Sequence, residues 1–272
     1  MINNRDLEST IVSTRVRLAR NIAGYPFPSK LKNTEQAKEI IRLVNTEASR
    51  VGVFNLYFMD AVSDIVARCL MEDHLISADL IANKKYGAAL IDEEEKFSIM
   101  INEEDHLREQ YLLRGFRLNR AYEKISAMDD MLSKSIRFAY DKQLGYLTAC
   151  PTNLGTGLRA SVMLFLPGLT RLNKMNNLIH HISRLGLTVR GVYGEGSVAE
   201  GYMYQISNEV TLGVEEETIL SEVENAVLEV VGLEARAGTT RQKQSHRRQG
   251  RLPPLVRHSH QLRKVSFKEF YG

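Results

Sequence analysis

From Thr34 to Ser49 the apolar residues Ala37, Ile40, Ile41, Val44 and Ala48 recur at helical steps. The spacing predicts a helix with one buried face, with Asn33 or Thr34 as its N-cap. Between Tyr86 and Ile101 the period changes. Two strand-like runs, GAALID and FSIMIN, flank the charged turn Glu93-Glu94-Glu95-Lys96 and predict a hairpin. Further helices are expected over Arg120–Tyr140, Leu169–Leu185 and Glu215–Val231, the last with Leu220, Val223, Val227 and Val230 on one face. Strands are expected over Gly145–Cys150, Ala160–Leu166, Leu187–Val192 and Tyr202–Ser207. Hairpins interspersed with helices predict an α+β fold, an antiparallel β-sheet flanked by helices. No internal repeat is visible.

After Gly232 this pattern stops. Arg, Gln, His, Gly and Pro dominate, and three of the seven histidines fall at His246, His258 and His260. The expected organisation is therefore a globular domain over 1–231 and a basic, disordered tail over 232–272. Removing 233–272 is then expected to leave the stability of the body unchanged. From Ala235 to Lys268 there are ten Lys/Arg and no Asp or Glu; taking those ten charges from the net +3 leaves −7 for the rest. The body is mildly acidic, so the overall charge says little about its partners. A basic arm for nucleic acid is the second reading of the tail. No aromatic residue interleaves its charges before Phe267, so nucleic acid is not an expected partner.

An apolar content of 43% suffices for a substantial core. The longest apolar runs, such as Val162–Leu166, are strand-length, so no membrane association is expected. Residues 1–6 lack the apolar stretch of a secretory signal. Cys69 and Cys150 form neither a CxxC pair nor a metal-ligand spacing, which points to a reduced, cytoplasmic protein without a protein-built metal site.

Four segments carry candidate chemistry. The first is Ser13-Thr14-Arg15-Val16-Arg17, followed by Arg20. Alternating arginines on a strand point to one face, spaced to grip successive phosphates with planar forks. Taken alone they equally fit a solvated edge. The second, Asn102-Glu103-Glu104-Asp105-His106-Leu107-Arg108, follows an apolar strand. A carboxylate there can accept a proton or orient a cation, although such a run also reads as an exposed turn. The third runs from Cys150 to Arg159, CPTNLGTGLR. Its glycines let backbone approach a ligand, but no GK[ST] follows and no dinucleotide fingerprint fits. The fourth, Arg190-Gly191-Val192-Tyr193-Gly194-Glu195-Gly196, leaves a strand for a glycine-rich loop of the composition a closing lid needs.

Together these segments resemble the ATP:guanido phosphotransferases, the family of creatine and arginine kinases, over about residues 8–231. The runs STRVRLARNIAGYPFP, INEEDHLR, CPTNLGTGLRASVM and RGVYGEGS are most similar to its bacterial protein-arginine kinase branch. The resemblance implies the guanido kinase catalytic fold (glutamine synthetase-like). It implies ATP and Mg²⁺ as cofactors, and phosphoryl transfer to arginine side chains of proteins. By the same resemblance the nucleotide-binding positions are Ser13, Thr14, Arg15, Val16, Arg17, His74, Arg108, Arg159, Ala160, Ser161, Val162, Met163, Arg190, Gly191, Val192, Tyr193, Gly194 and Glu195. Glu104 matches the carboxylate that holds and deprotonates the guanidinium, Glu195 a second carboxylate, and Cys150 the cysteine beside the acceptor. The implied partners are arginine-bearing protein substrates, a zinc-binding activator protein, a Clp-type protease ATPase and a stress-response repressor, in protein quality control and degradation. Without the resemblance, His74 reads as an ordinary helix-end histidine and Cys150 as a buried, inert thiol.

Two departures shape these expectations. Creatine kinases carry a helical domain before the SxRxR segment, which here starts at residue 13; this favours protein-bound arginine over a free guanidine as acceptor. The protein-arginine kinases continue into a domain that binds phosphoarginine through an RDxxRA motif, which this sequence lacks, and its tail reads as out of frame. A free-guanidine kinase and a catalytically idle binding module remain as alternative readings.

Overall fold

Asn3 closes a capping box with Asp6 and starts α1 (Asn4–Thr10), which runs directly into β1 (Ile11–Arg20). The computed structural model describes residues 2–191 and 200–249. The Asn33 side chain accepts from Glu35 N at 2.9 Å and opens α2 (Thr34–Ala48), whose buried positions are those the periodicity predicts. Then come β2 (Phe54–Phe58), α3 (Asp64–Glu72) and α4 (Ala78–Ala82), the two helices capped by Ser63 and Ser77. The expected hairpin is β3 (Ala88–Asp92) and β4 (Phe97–Ile101), followed by β5 (Leu107–Arg114) and α5 (Leu118–Ser133). Two short strands, β6 (Tyr140–Asp141) and β7 (Gly145–Tyr146), precede β8 (Leu158–Phe165). The remaining elements are α6 (Pro167–Arg171), α7 (Met175–Arg184), β9 (Leu187–Gly191), β10 (Met203–Asn208) and α8 (Glu216–Gln249).

Eight strands form one antiparallel sheet in the order β2-β3-β4-β5-β1-β8-β10-β9. Because side chains alternate along each strand, its two faces have different fates. One face, including Val16, Leu18, Ile99, Ile101, Ala160, Val162 and Ile206, is buried in the main core with the apolar sides of α2, α5, α7 and α8. The other face is split. Over β3 and β4 its Ala89, Ile91 and Met100 form a second, smaller core with Ala67 and Leu70 of α3 and Leu80 of α4. Over β1, β5, β8 and β9 it carries arginines.

The structure shortens or redraws four expected elements. The helix begun at α5 stops at Ser133, because Ile136 and Phe138 are drawn into the core and Phe138 bridges to Ile22. The helix expected over Leu169–Leu185 is two helices, broken at Asn173, whose φ of 56° is left-handed. Only Gly145 and Tyr146 of the strand expected through Cys150 pair in a ladder. Leu147 N instead donates to Ala139 O, and Ala149 N to the Asp105 carboxylate. Finally, α8 crosses the boundary expected at 231 and continues to Gln249. The apolar period fades there because the packed positions are a carboxylate, Glu234, and a small residue, Ala237, at 8% and 4% exposure. Residues 250–272 of the expected tail lie outside the described residues.

Candidate functional site

Strand register gathers the arginines. Arg17 on β1 stands opposite Arg159 on β8 and Gln110 on β5, and Arg15 stands opposite Ser161 and Leu112. Arg108 stands opposite Ala19, while Arg190 on β9 faces Gln205 on β10, which in turn faces Met163. Paired residues share a sheet face, so four strands contribute arginines to one surface. There Arg15, Arg17, Arg159 and Arg190 line a cavity of about 470 Å³ with Ser13, His74, Ser161, Met163, Gly191 and Gln205. Arg20, three residues after Arg17, is on the opposite face and leaves this set.

Three arginines of the positive cluster are anchored by neighbouring side chains. Arg15 Nη2 donates to Gln205 Oε1 at 2.9 Å, Arg159 Nη2 to Ser207 Oγ at 3.2 Å, and Arg108 Nη1 to Glu103 Oε1 at 2.6 Å. Among the described residues, Arg17 Nε and Arg159 Nε are buried without a hydrogen-bond partner. Burial, then Arg108 and Arg159, bring Arg15 down to about 10. Burial and the neighbouring arginines push Arg17 well below its ordinary value, and Arg159 is lowered by burial and then by Arg190. Guanidinium groups keep their protons at neutral pH, so this downward pressure expresses how strongly the cluster favours an anion. His74 borders the same cavity. Burial and then Arg15 lower its pKa, which keeps it neutral at pH 7.

A second cavity of about 260 Å³ adjoins the first and shares Arg17, Arg159 and Arg190 with it. Its other wall holds Glu103, Glu104, Asp105, Cys150, Thr152 and Asn153. The run that also reads as an exposed turn is buried from Asn102 to Leu107, except for Glu104. Its neighbours are each tied down. Asn102, at φ 57°, donates through Nδ2 to Tyr86 O and Ala37 O. Glu103 accepts from Arg108 and from Ser77 Oγ. Asp105 Oδ1 accepts from Asn21 Nδ2 at 2.5 Å and Ala149 N at 2.7 Å. His106 Nδ1 accepts from Ile22 N at 3.0 Å, which assigns the proton to Nε2, 2.9 Å from Pro26 O. Burial drives His106 down to about 4, so it is neutral. Glu104 thus projects from a rigid base. Partial burial, then Asp105 and Glu103, raise its pKa. Cys150 is half-buried, its Sγ 3.0 Å from Thr152 Oγ1.

Of the residues singled out from the sequence, Ser13, Arg15, Arg17, His74, Arg159, Ser161, Met163, Arg190 and Gly191 border the first cavity, and Glu104, Arg108 and Cys150 the second. Thr14, Val16, Ala160 and Val162 are buried on the core face and only their backbone is near the site. Val192, Tyr193, Gly194 and Glu195 lie outside the described residues. The glycines of CPTNLGTGLR serve packing: a Cβ on Gly155 would stand 2.3 Å from Thr211 O, and one on Gly157 2.6 Å from Ala19 O. Sequence reasoning missed Gln205 and the anchor Asn21, and named Asp105 and His106 only as members of their run, without the anchoring role. The only local signal for Gln205 was its even spacing from Ser207 along β10.

No helix among the described residues is long and apolar enough to cross a membrane. Compared with known proteins, the profile of the ATP:guanido phosphotransferase C-terminal catalytic domain matches residues 35–237. A protein-arginine kinase of Brevibacillus brevis is 45% identical over 234 residues, covering 84% of this chain and 65% of that protein. One of Caldanaerobacter subterraneus is 43% identical over 237 residues, covering 85% and 69%. The chain thus spans about two thirds of the length of these relatives. Among solved structures, the duplicated taurocyamine kinase of Schistosoma mansoni with bound transition state analog components superposes with a TM-score of 0.74. It is 29% identical, over 86% of this chain and 34% of that one.

Proposed function

Because this chain belongs to the ATP:guanido phosphotransferase family, we propose that it transfers the γ-phosphoryl group of ATP to arginine side chains of proteins. The observation that carries the reading is the wall of Arg17, Arg159 and Arg190 shared by two cavities, one rich in arginine and the other in carboxylates. Phosphoryl transfer requires alignment and charge neutralisation, which suits a triphosphate on one side of that wall and a guanidinium on the other. The orphaned Nε atoms of Arg17 and Arg159 fit phosphate oxygens.

In this reading Arg15, Arg17, Arg108, Arg159 and Arg190 bind the phosphates, and His74 and Met163 border the nucleoside. The backbone of Thr14, Val16, Ala160 and Val162 completes the groove. A guanidinium is a poor nucleophile while protonated, since its pKa is above about 12. Glu104, exposed between buried anchors and with a raised pKa, orients the acceptor and takes its proton. Cys150 and Glu195 add negative charge around the acceptor. Mg²⁺ fits here as a companion of the phosphates, because it is commonly held by phosphate oxygens and one or two carboxylates. Among the described residues no group of three or more His, Cys, Asp or Glu forms a cation site of its own. When bound with ATP it supplies further charge neutralisation.

The reading extends to a cytoplasmic role in protein quality control, with the zinc-binding activator, the Clp-type ATPase and the stress-response repressor as partners. It rests there on the likeness to the protein-arginine kinases. The decisive experiment is incubation with ATP, Mg²⁺ and an unfolded arginine-bearing protein. Acid-labile phosphoarginine on the acceptor supports the reading. Its absence, with ATP bound, favours an idle binding module.

A further inference from the structure

Arg20 belongs to the first arginine-rich segment, yet the site leaves it unused. It turns into the core with 1% exposure. Its Nε lies 3.0 and 3.1 Å from the two oxygens of Asp129 on α5, and Nη2 donates to Asp129 Oδ2 at 2.8 Å. Its Nη1 donates to Ala19 O at 3.0 Å and to Thr156 O at 2.8 Å. The guanidinium carbon lies over the Tyr146 ring, 3.6 Å from its centroid.

Apart from Asp129, these partners belong to or bond the segment between Cys150 and Arg159. Tyr146 N donates to Gly155 O at 2.8 Å, and Ala19 N to Gly157 O at 3.0 Å. A Cβ on Gly157 would stand 2.7 Å from Arg20 Nη1, so glycine is the residue that lets the chain lie against this cation. Thr211 holds the other side, its Oγ1 donating to Thr152 O and Leu154 O at 2.8 and 2.7 Å.

We propose that Arg20 is a positioning residue for the acceptor wall: clamped on Asp129 and stacked on Tyr146, it fixes residues 155–157 and thereby the placement of Cys150 and Arg159. This rests on the proposed phosphoryl transfer. Glu109 faces the same group, wholly buried, with burial and then Asp129 raising it well above the carboxylate range. Burial thus favours the protonated form of Glu109 beside the Arg20–Asp129 ion pair. A lysine cannot reproduce the arrangement, because a single ammonium lacks the plane to stack and the fork to reach both Asp129 and Thr156.

The test uses the full chain, ATP, and reduced carboxymethylated lysozyme as an unfolded acceptor. Arg20→Lys is expected to lower kcat at least about tenfold with KM for ATP changed less than about threefold, as displaced rather than missing groups do. Alkylation of Cys150 by iodoacetamide, followed by mass spectrometry, is expected to change at least about threefold against the exposed Cys69 as internal control. Tyr146→Phe, which keeps the stacking ring, should match wild type, while Tyr146→Ala follows Arg20→Lys. A folded Arg20→Lys with wild-type kcat and Cys150 reactivity overturns the inference, leaving Arg20 a core ion pair only. If Arg20→Lys does not fold, wild-type values for Tyr146→Ala overturn it. An inactive wild-type chain refutes the proposed function instead, and Cys150 reactivity still decides the positioning.

Discussion

Glu104 is the exposed carboxylate in a run whose neighbours are buried and bonded, so its replacement isolates chemistry from folding. Glu104→Gln keeps the shape and removes the charge. Turnover is expected to fall by about 10²-fold or more while ATP binding persists, measured by steady-state kinetics and nucleotide titration; near-normal turnover would remove Glu104 from the mechanism. His106 sets a pH limit on the same loop. Its folded pKa of about 4 lies below the ordinary 6.5, so the unfolded chain binds a proton first as pH falls. The stability it contributes is complete above about 6.5 and is lost between about 6.5 and 4, a loss of roughly 3 kcal/mol. Replacing His106 by Asn should flatten the melting temperature against pH across that window. An unchanged slope would assign the acid sensitivity to other groups.

At the scale of elements, the joint between α6 and α8 matters most. The first residues of α6 lack a side-chain cap of their own. Glu234, far along α8, supplies one: Gly168 N and Leu169 N donate to its carboxylate at 2.6 and 2.9 Å. Capping interactions of this kind are worth about 0.5–2 kcal/mol, and the carboxylate also meets the positive end of the helix. Glu234→Ala should therefore lower the melting temperature by a few degrees, and truncation after Gly232 by at least as much, contrary to the indifference expected from the sequence. Scanning calorimetry of both variants checks this. The example shows where reading a sequence succeeds. Helix α2 and strand β8 were legible because their signals are local: a helical apolar stripe with a cap, and an apolar run after a turn. The helix break at Asn173 was not, since the apolar period does not mark its left-handed residue, and the continuation of α8 was not, since it depends on a partner distant in sequence. The site divides likewise. The arginine-rich segments and Glu104 were readable as motifs. The anchoring roles of Asn21, Asp105 and His106 were not, because they exist only once loops from three parts of the chain meet.

Across the whole molecule, a sheet with one apolar face and a cationic cluster over part of the other carries an internal electrostatic tension. Arg17 expresses it most clearly, since burial and then three arginines act against its charge. Arg17→Met removes the charge but keeps an unbranched stem. The ligand-free protein should melt higher than wild type, and ATP should no longer raise its melting temperature, whereas in wild type saturation at about 100 times Kd adds about 2.7 kcal/mol. A variant melting lower without ligand would show that the arginines stabilise the sheet instead. The same architecture has a consequence in time. The central strand β1 is bonded on one side to β5 and on the other to β8, and Ser161 Oγ donates to Arg15 O across 146 residues of chain. Closing such long loops is slow compared with forming a helix. During refolding the helical signal should therefore recover first and nucleotide affinity in a later phase, because no stretch of chain shorter than the span from β1 to β8 can assemble the clamp. A newly made chain is blind to ATP until its central strand has found both neighbours.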